Sequence, residues 1–273
     1  MARFILGATL ICAALSANDN IEVLKMSPAY YNENAIIKQI YSENGIIGPK
    51  SPLVLQVAEF PLGVSLPNSP QWLKGMRESG NGSAILVWVL GENNIQKRFY
   101  ISIDDGTSFI ENKAYFRDRY RKFIEAPELE KLDKFAITAI LVNAYGEVIK
   151  SSKATKTIIV DHKKKSDGDY KALKKDLEMP FLLYNEPYGT FTKNQPILLD
   201  FYVFNADIGT DAYAVELYID DVKEKDPLTE WAPYRIKMLP SGIHKFQIKL
   251  VDHSGKYMPE PFGPLINMIS ITD

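Results

Sequence analysis

Cysteine is nearly absent from this chain of 273 residues: Cys12 stands alone, inside an apolar stretch near the start. That stretch reads as a leader, so the rest offers no disulfide, no thiol nucleophile and no cysteine-based metal site. Exported domains do without disulfides when their cores are full-sized, which favours a bacterial envelope or secreted location over a eukaryotic extracellular one. An excess of one charge is lacking too. Lys and Arg total 32 against 34 Asp and Glu, a net charge of −2. No basic surplus points to nucleic acid, and no acidic tail is present. Long hydrophobic runs are missing: Phe4 to Leu15 is apolar apart from Thr9, shorter than the roughly 20 residues a membrane span requires. A mean hydropathy of −0.15 argues against a polytopic membrane protein. Nucleophile-elbow, His-Glu-x-x-His, phosphate-loop and dinucleotide-binding signatures are all absent. The sequence therefore assigns no catalytic residue, no metal ligand set and no cofactor, and the expectation is a non-enzyme.

The first 17 residues have the order of a secretory signal. Arg3 supplies the positive charge, the apolar run follows, and Leu15-Ser16-Ala17 offers small residues for cleavage before Asn18, with Ala14-Leu15-Ser16 as a second option. Ile11 rather than a small residue precedes Cys12, so lipid modification is not expected. Membrane contact is expected only if this segment stays uncleaved.

What is present is a repeat. Phe60-Pro61-Leu62-Gly63 is echoed by Glu186-Pro187-Tyr188-Gly189, and Ala84 to Trp88 by Pro196 to Asp200. Arg98 to Asp105 is echoed by Ala214 to Asp221, and Phe135 to Gly146 by His244 to Gly255. A period of about a hundred residues is one domain's worth, hence a duplicated domain rather than a solenoid. Within each copy apolar residues alternate with polar ones. Phe99, Ile101 and Ile103 do so, as do Phe135, Ile137, Ala139 and Leu141; Val215, Leu217 and Ile219; and Phe246, Ile248 and Leu250. That two-residue period marks half-buried strands. Many short strands with turns between them predict an antiparallel sandwich. No helix-length pattern lies between strands, which excludes a parallel α/β sheet.

The expected organisation is a signal peptide over 1–17, an N-terminal segment over 18–50, a first domain over 51–160, a linker over 161–179 and a second domain over 180–273. In the N-terminal segment Asn32 is positioned to cap a short helix bearing Ile36, Ile37, Ile40 and Tyr41, with Gly45 as its stop. Its apolar face is read as packing on the first sandwich, with partner docking as the alternative. The linker holds Lys163, Lys164 and Lys165 and then a short helix with Tyr170, Leu173 and Leu177 on one side, ended by Pro180. A solvated boundary fits this composition better than a phosphate site, since a lysine run alone carries no geometry.

Candidate chemistry is sparse. Asp252-His253-Ser254 sets three triad residue types side by side, but neighbours on a strand end point in opposite directions and cannot form the required chain of hydrogen bonds. His244 begins an apolar strand face and reads as a hydrogen-bonded packing residue. Asp104-Asp105-Gly106 and Asp220-Asp221 suit turns, where Asp caps nearby backbone N–H groups; calcium ligation is the alternative. Asn81-Gly82-Ser83 fits a glycosylation sequon. Two stretches of the first copy, Pro67–Gly82 and Thr107–Arg121, read as loop insertions. The second concentrates aromatic and arginine residues of the sort interfaces use. Tyr115, Arg117, Arg119 and Tyr120 are its candidate partner-binding residues, whereas Trp231 and Tyr234 are expected to pack locally beside Pro233.

Leu239-Pro240-Ser241-Gly242-Ile243-His244-Lys245-Phe246, running on through Val251-Asp252-His253-Ser254-Gly255-Lys256, resembles the penultimate loop and strand of bacterial immunoglobulin-like and fibronectin-III-like modules. Gly242, His244, Asp252 and Gly255 carry the match. The first copy departs from it: Leu132-Asp133-Lys134-Phe135 lacks the glycine and histidine, and Asn143 replaces the aspartate. The resemblance implies an all-β chain of two antiparallel immunoglobulin-like sandwiches in tandem. It further implies an adhesive, structural, accessory or chaperone-like role, and the leader-like start places the expected protein in the periplasm, envelope or medium. A protein or glycan is the expected partner, and nucleic acid is not. Two alternatives stand: a pilus-type chaperone or surface-assembly subunit, and an accessory part of a secreted carbohydrate-active or other hydrolytic system.

Overall fold

The computed structural model describes residues 21–27, 37–42, 53–57, 84–91, 95–102, 109–110, 113–115, 134–143, 146–161 and 171–273. Strands dominate them. In the first half these are β1 (Glu22–Lys25), β2 (Ile37–Ser42), β3 (Leu53–Val57), β4 (Ala84–Gly91), β5 (Ile95–Ser102), β6 (Phe109–Ile110), β7 (Lys113–Tyr115), β8 (Lys134–Val142) and β9 (Thr155–Asp161). Helix α1 (Lys171–Glu178) follows. The second half holds β10 (Phe181–Glu186), β11 (Gly189–Thr192), β12 (Ile197–Phe204), β13 (Ala214–Ile219), β14 (Val222–Lys223), β15 (Tyr234–Lys237), β16 (Gly242–Val251) and β17 (Leu265–Thr272).

These strands form four sheets, ordered β1-β15-β12-β10, β11-β17-β16-β13-β14, β2-β3-β7-β6 and β5-β4-β8-β9. All pairings of named strands are antiparallel except β11 with β17, and the fold is an all-β sandwich, as the alternating patterns predict. On β16 the side chains of His244, Phe246, Ile248 and Leu250 are buried, while Lys245, Gln247 and Lys249 between them are half-buried. Helix α1 lies where the linker pattern places it, with Leu173 fully buried and Leu177 packed against the core.

Three expectations need correction. Ile37 to Ser42 is a strand, not part of a helix, and it pairs with β3. The spacing of Ile36, Ile37, Ile40 and Tyr41 satisfies a helical face, but β-branched and aromatic residues prefer a pleated surface once a partner strand is available. Second, the expected N-terminal segment serves both halves. Its β1 pairs with β15, setting Val23 opposite Ile236, and Met26 N–H extends the ladder to the Pro233 carbonyl at 2.9 Å. Third, Thr107–Arg121 is not simply a loop. It contains β6 and β7, and β7 pairs with β3 as β15 pairs with β12.

The repeat is real but shifted in its first part. The order β5-β4-β8-β9 matches β14-β13-β16-β17, and β2-β3-β7 matches β10-β12-β15. Strand β4 therefore answers to β13, and β5 to β14, one strand later than the sequence echoes suggest. The correspondence of β8 with β16 stands. Gly146 N–H bonds the Asn143 carbonyl at 3.0 Å, and Gly255 N–H bonds the Asp252 carbonyl at 2.9 Å. Both glycines have φ near +80° (85° and 78°), the left-handed region that glycine enters without penalty.

Strands β10 and β12 do not alternate. Ile197 through Val203 are all buried, as are Phe181 through Glu186. A sheet with one wet face would expose every second residue, so both faces are covered at these two strands. One contiguous apolar cluster includes Leu86, Trp88, Leu90, Ala136, Ile140 and Val142 from the first half together with the second-half core.

Candidate functional site

The outer face of the five-stranded sheet is the best-defined surface among the described residues. Pairing sets Glu216 opposite Lys249 and Tyr218 opposite Gln247. Lys223 lies opposite Tyr218. On the other side, Met268 lies opposite Lys245 and Ile266 opposite Gln247. The short β13–β14 turn is made by Asp220 and Asp221, both with positive φ (52° and 66°), the geometry of a two-residue hairpin loop.

One half of this face is a polar cluster around a buried carboxylate. Glu216 accepts from the Tyr218 hydroxyl at 2.8 Å, from the Tyr257 hydroxyl at 3.1 Å and from the Lys223 ammonium. The two tyrosine hydroxyls are 2.8 Å apart. The Lys249 ammonium lies 4.9 Å from the Tyr218 ring centre and 5.1 Å from that of Tyr257, within cation–π range. Burial pushes the Glu216 carboxyl up, but the bonds from Lys223, Tyr218 and Tyr257 and the Lys223 charge outweigh it and hold the group below its ordinary value. Burial and then the bonds with Tyr257 and Glu216 push the Tyr218 phenol up. The Glu216 carboxylate is thus held by three side-chain donors, a connected polar network on the sheet face.

The other half is apolar and exposed. Ile243 is 72% exposed, Met268 56% and Ile266 39%. Strand alternation puts all three on one face, beside Lys245 and Gln247. An ion pair of Lys245 with Asp221 at 2.6 Å borders the strip.

A separate open cleft of about 400 Å3 lies between β1 and residues 224–230, lined by Lys25, Glu224, Lys225, Asp226, Glu230 and Tyr234 among others. Lys25 and Glu230 pair at 2.6 Å within it. Its charges are of mixed sign and converge on no point, so it is a weaker candidate.

Of the residues singled out in the sequence, Tyr115 lies on β7 opposite Val54, while Arg117, Arg119 and Tyr120 lie outside the described residues, as do Asp104, Asp105 and the stretch Pro67–Gly82. His244 is a buried packing residue: Nδ1 lies 2.7 Å from Asp220 Oδ2, and Nε2 lies 2.8 Å from the Pro240 carbonyl. Asp220 Oδ1 also accepts from Lys245 N–H at 2.8 Å, so this aspartate ties a turn to a strand. Asp252 caps its own loop, accepting from Ser254 N–H, Ser254 Oγ and Lys256 N–H at 2.9, 2.6 and 3.0 Å. Trp231 and Tyr234 pack locally: the indole donates to the Phe201 carbonyl at 3.2 Å and the phenol to the Glu230 carbonyl at 2.8 Å. Among the described residues no cluster of three or more His, Cys, Asp or Glu could hold a metal ion.

The Glu216 cluster escaped the sequence reading. Its only sequence signal is a carboxylate and a phenol two residues apart on an outward strand face, Glu216 and Tyr218. Tyr257 reaches them from the loop beyond β16, a contact that pattern alone does not carry.

Neither a protein-family model nor a curated protein matches the chain. At the level of fold it is similar to fibronectin-III-like modules and related β-sandwich proteins. One is the fibronectin(III)-like modules of Clostridium thermocellum CbhA, at 13% identity and a TM-score of 0.28, covering 34% of this chain and 97% of that one. The central fibronectin-III array of RIM-binding protein matches at 9% identity and a TM-score of 0.25, covering 89% and 71%. SGBP-B of the Bacteroides ovatus mixed-linkage glucan utilization locus, solved with a mixed-linkage heptasaccharide, matches at 9% and 0.21, covering 94% and 71%. These likenesses concern the fold alone and carry no function across.

Proposed function

We propose that this is an exported, non-enzymatic binding or envelope-structural protein built on a duplicated immunoglobulin-like sandwich, and that it meets its partner with the outer face of the five-stranded sheet. The observation that carries the reading is the strip of Ile243, Ile266 and Met268, exposed on regular strands beside a rigid cluster of tyrosines and lysines. Grouped exposed apolar side chains on one sheet face mark contact surfaces more often than chance exposure does. Rigid strands also present them at little entropic cost. Export rests on the leader-like order of residues 1–17. The strip favours a protein partner over a glycan, since Ile243, Ile266 and Met268 are apolar and offer a sugar no hydrogen bonds. A chaperone of the strand-accepting kind needs an open sheet edge; the β15 edge is filled by the chain's own β1, while β10, β11 and β14 end their sheets in the second half.

The test is capture of envelope or culture proteins on the immobilised mature chain. The same capture is run with Ile243→Lys plus Met268→Lys and with Arg117→Ala plus Arg119→Ala. Loss of a specific partner in the first variant, with an unchanged melting curve, supports the sheet face. Loss only in the arginine variant moves the site to the first half. Turnover of a model glycan or peptide by the mature chain would remove the non-enzymatic reading.

A further inference from the structure

We infer that the two halves of this chain form one rigid body, closed by a buried ion pair and by the N-terminal strand, so that they stay together even when the chain between them is cut. The same loop occurs in both copies under opposite conditions. In the second copy Ser254, Gly255, Lys256 and Tyr257 are exposed; in the first the matching Gly146, Glu147 and Val148 are buried. The backbone bonds are the same, so what differs is what lies on top.

What lies on top is β12 and β10 of the second half. Asp200, fully buried in the middle of β12, accepts from Val148 N–H at 2.7 Å, from the Lys150 ammonium at 2.6 Å and from the Asn185 amide at 2.8 Å. Asn185 also donates to the Gly146 carbonyl at 2.6 Å, and the Tyr202 hydroxyl to the Ser151 carbonyl at 2.8 Å. The Lys150 side chain is only 8% exposed. Around this polar seam the apolar face of Leu86, Trp88, Leu90, Ala136, Ile140 and Val142 joins the second-half core. Modules on a flexible linker meet through wetter, more polar surfaces. A buried charge tolerates only the one orientation that supplies its partner. Strand β1 adds a second tie, because it lies in the second half's sheet while β2 to β9, which follow it, build the first half.

The experiment inserts a protease recognition sequence between Lys165 and Ser166 in the exported chain and cuts it there. The expected result is a single particle of both fragments on size exclusion and in native mass spectrometry at neutral pH, with the small-angle scattering profile of the uncut chain. Asp200→Ala should weaken fragment association on the order of a hundredfold or more, by stranding Lys150. If Asp200→Ala fails to fold before cutting, Tyr202→Phe and Val23→Asp, which keep the charge pair, give the second reading and should each loosen the cut complex. Separation of the wild-type fragments overturns the inference, as does co-elution that none of the variants weakens.

Discussion

Asn143 and Asp252 do the same work in the two copies. Asn143 Oδ1 accepts from Glu147 N–H at 3.1 Å, and Asp252 Oδ1 accepts from Lys256 N–H at 3.0 Å. Each side chain satisfies a backbone donor four residues on, within a loop closed by a glycine at positive φ. An amide oxygen and a carboxylate oxygen are interchangeable as acceptors here, which is why Asn in one copy and Asp in the other close the same loop. In the second, the bonds from Ser254 and Lys256 hold the Asp252 carboxyl below its ordinary range.

That equivalence predicts that Asp252→Asn leaves the loop intact, whereas Asp252→Ala opens it. Amide exchange at Ser254 and Lys256 measures this. Rapid exchange in the Asn variant would show that the charge, not the acceptor, closes the loop.

At His244 both ring nitrogens are engaged inside the sheet edge. His244→Ala should lower unfolding free energy by about 1–3 kcal/mol, from lost burial and two hydrogen bonds. Chemical denaturation is the measurement. An unchanged midpoint with partner capture abolished would reassign the residue to the binding surface.

Breaking the buried pair should be more costly. Asp200→Ala is expected to destabilise by about 3–5 kcal/mol, while Lys150→Met with Asp200→Leu should recover a good part of the loss, because no charge is then left alone. A double-mutant cycle by urea denaturation reads the coupling, and a cycle that closes with no coupling would show that Lys150 and Asp200 act independently.

Strand β1 should be felt far from its own sequence. Val23→Asp places a charge where a half-buried apolar side chain faces Ile236. Faster hydrogen exchange is expected at Tyr234–Lys237, two hundred residues away, and not in β8. Unchanged protection in β15 would mean the pairing is not held in solution.

Glu216 makes stability pH-dependent, with a definite sign. Its folded carboxyl titrates below the ordinary 4.5, and the unfolded one near it. The stabilisation is therefore present above the unfolded value and is lost as pH falls through the folded one. Melting temperature should drop as pH falls below the ordinary carboxylate range, and less steeply in Glu216→Gln. Equal slopes would place the acid sensitivity elsewhere.

Local physics made much of this fold legible. Period-two alternation marks β8, β13 and β16, and the apolar side of α1 is visible in Leu173 and Leu177. Asp220-Asp221 is a turn because Asp tolerates positive φ, and His244 sits on a buried face because its neighbours at every second position are apolar. The same alternation misaligned the first part of the repeat. Any half-buried strand resembles any other, so β4 could be matched to β12 as easily as to β13, whereas the loop at Asn143 and Asp252 has chemistry of its own and was matched correctly. A helical and a strand reading of Ile36 to Tyr41 were equally consistent with spacing, and only pairing with β3 decides between them. One signal was present without its meaning: Asp200 inside Ile197 to Phe204, a charge in an otherwise apolar run. Sequence shows that such a carboxylate needs a partner; that the partner is Lys150, from the other copy, depends on how two sheets pack. The sequence by itself determined β8, β13 and β16 with their buried faces, and the turns at Asp220-Asp221 and Asp252–Gly255, because these follow from bonding and burial over a few residues. The tertiary structure alone decided that β1 completes the second half's sheet, that Tyr257 joins Glu216 and that the halves share one core, because those contacts join residues tens to hundreds of positions apart whose meeting no local preference encodes.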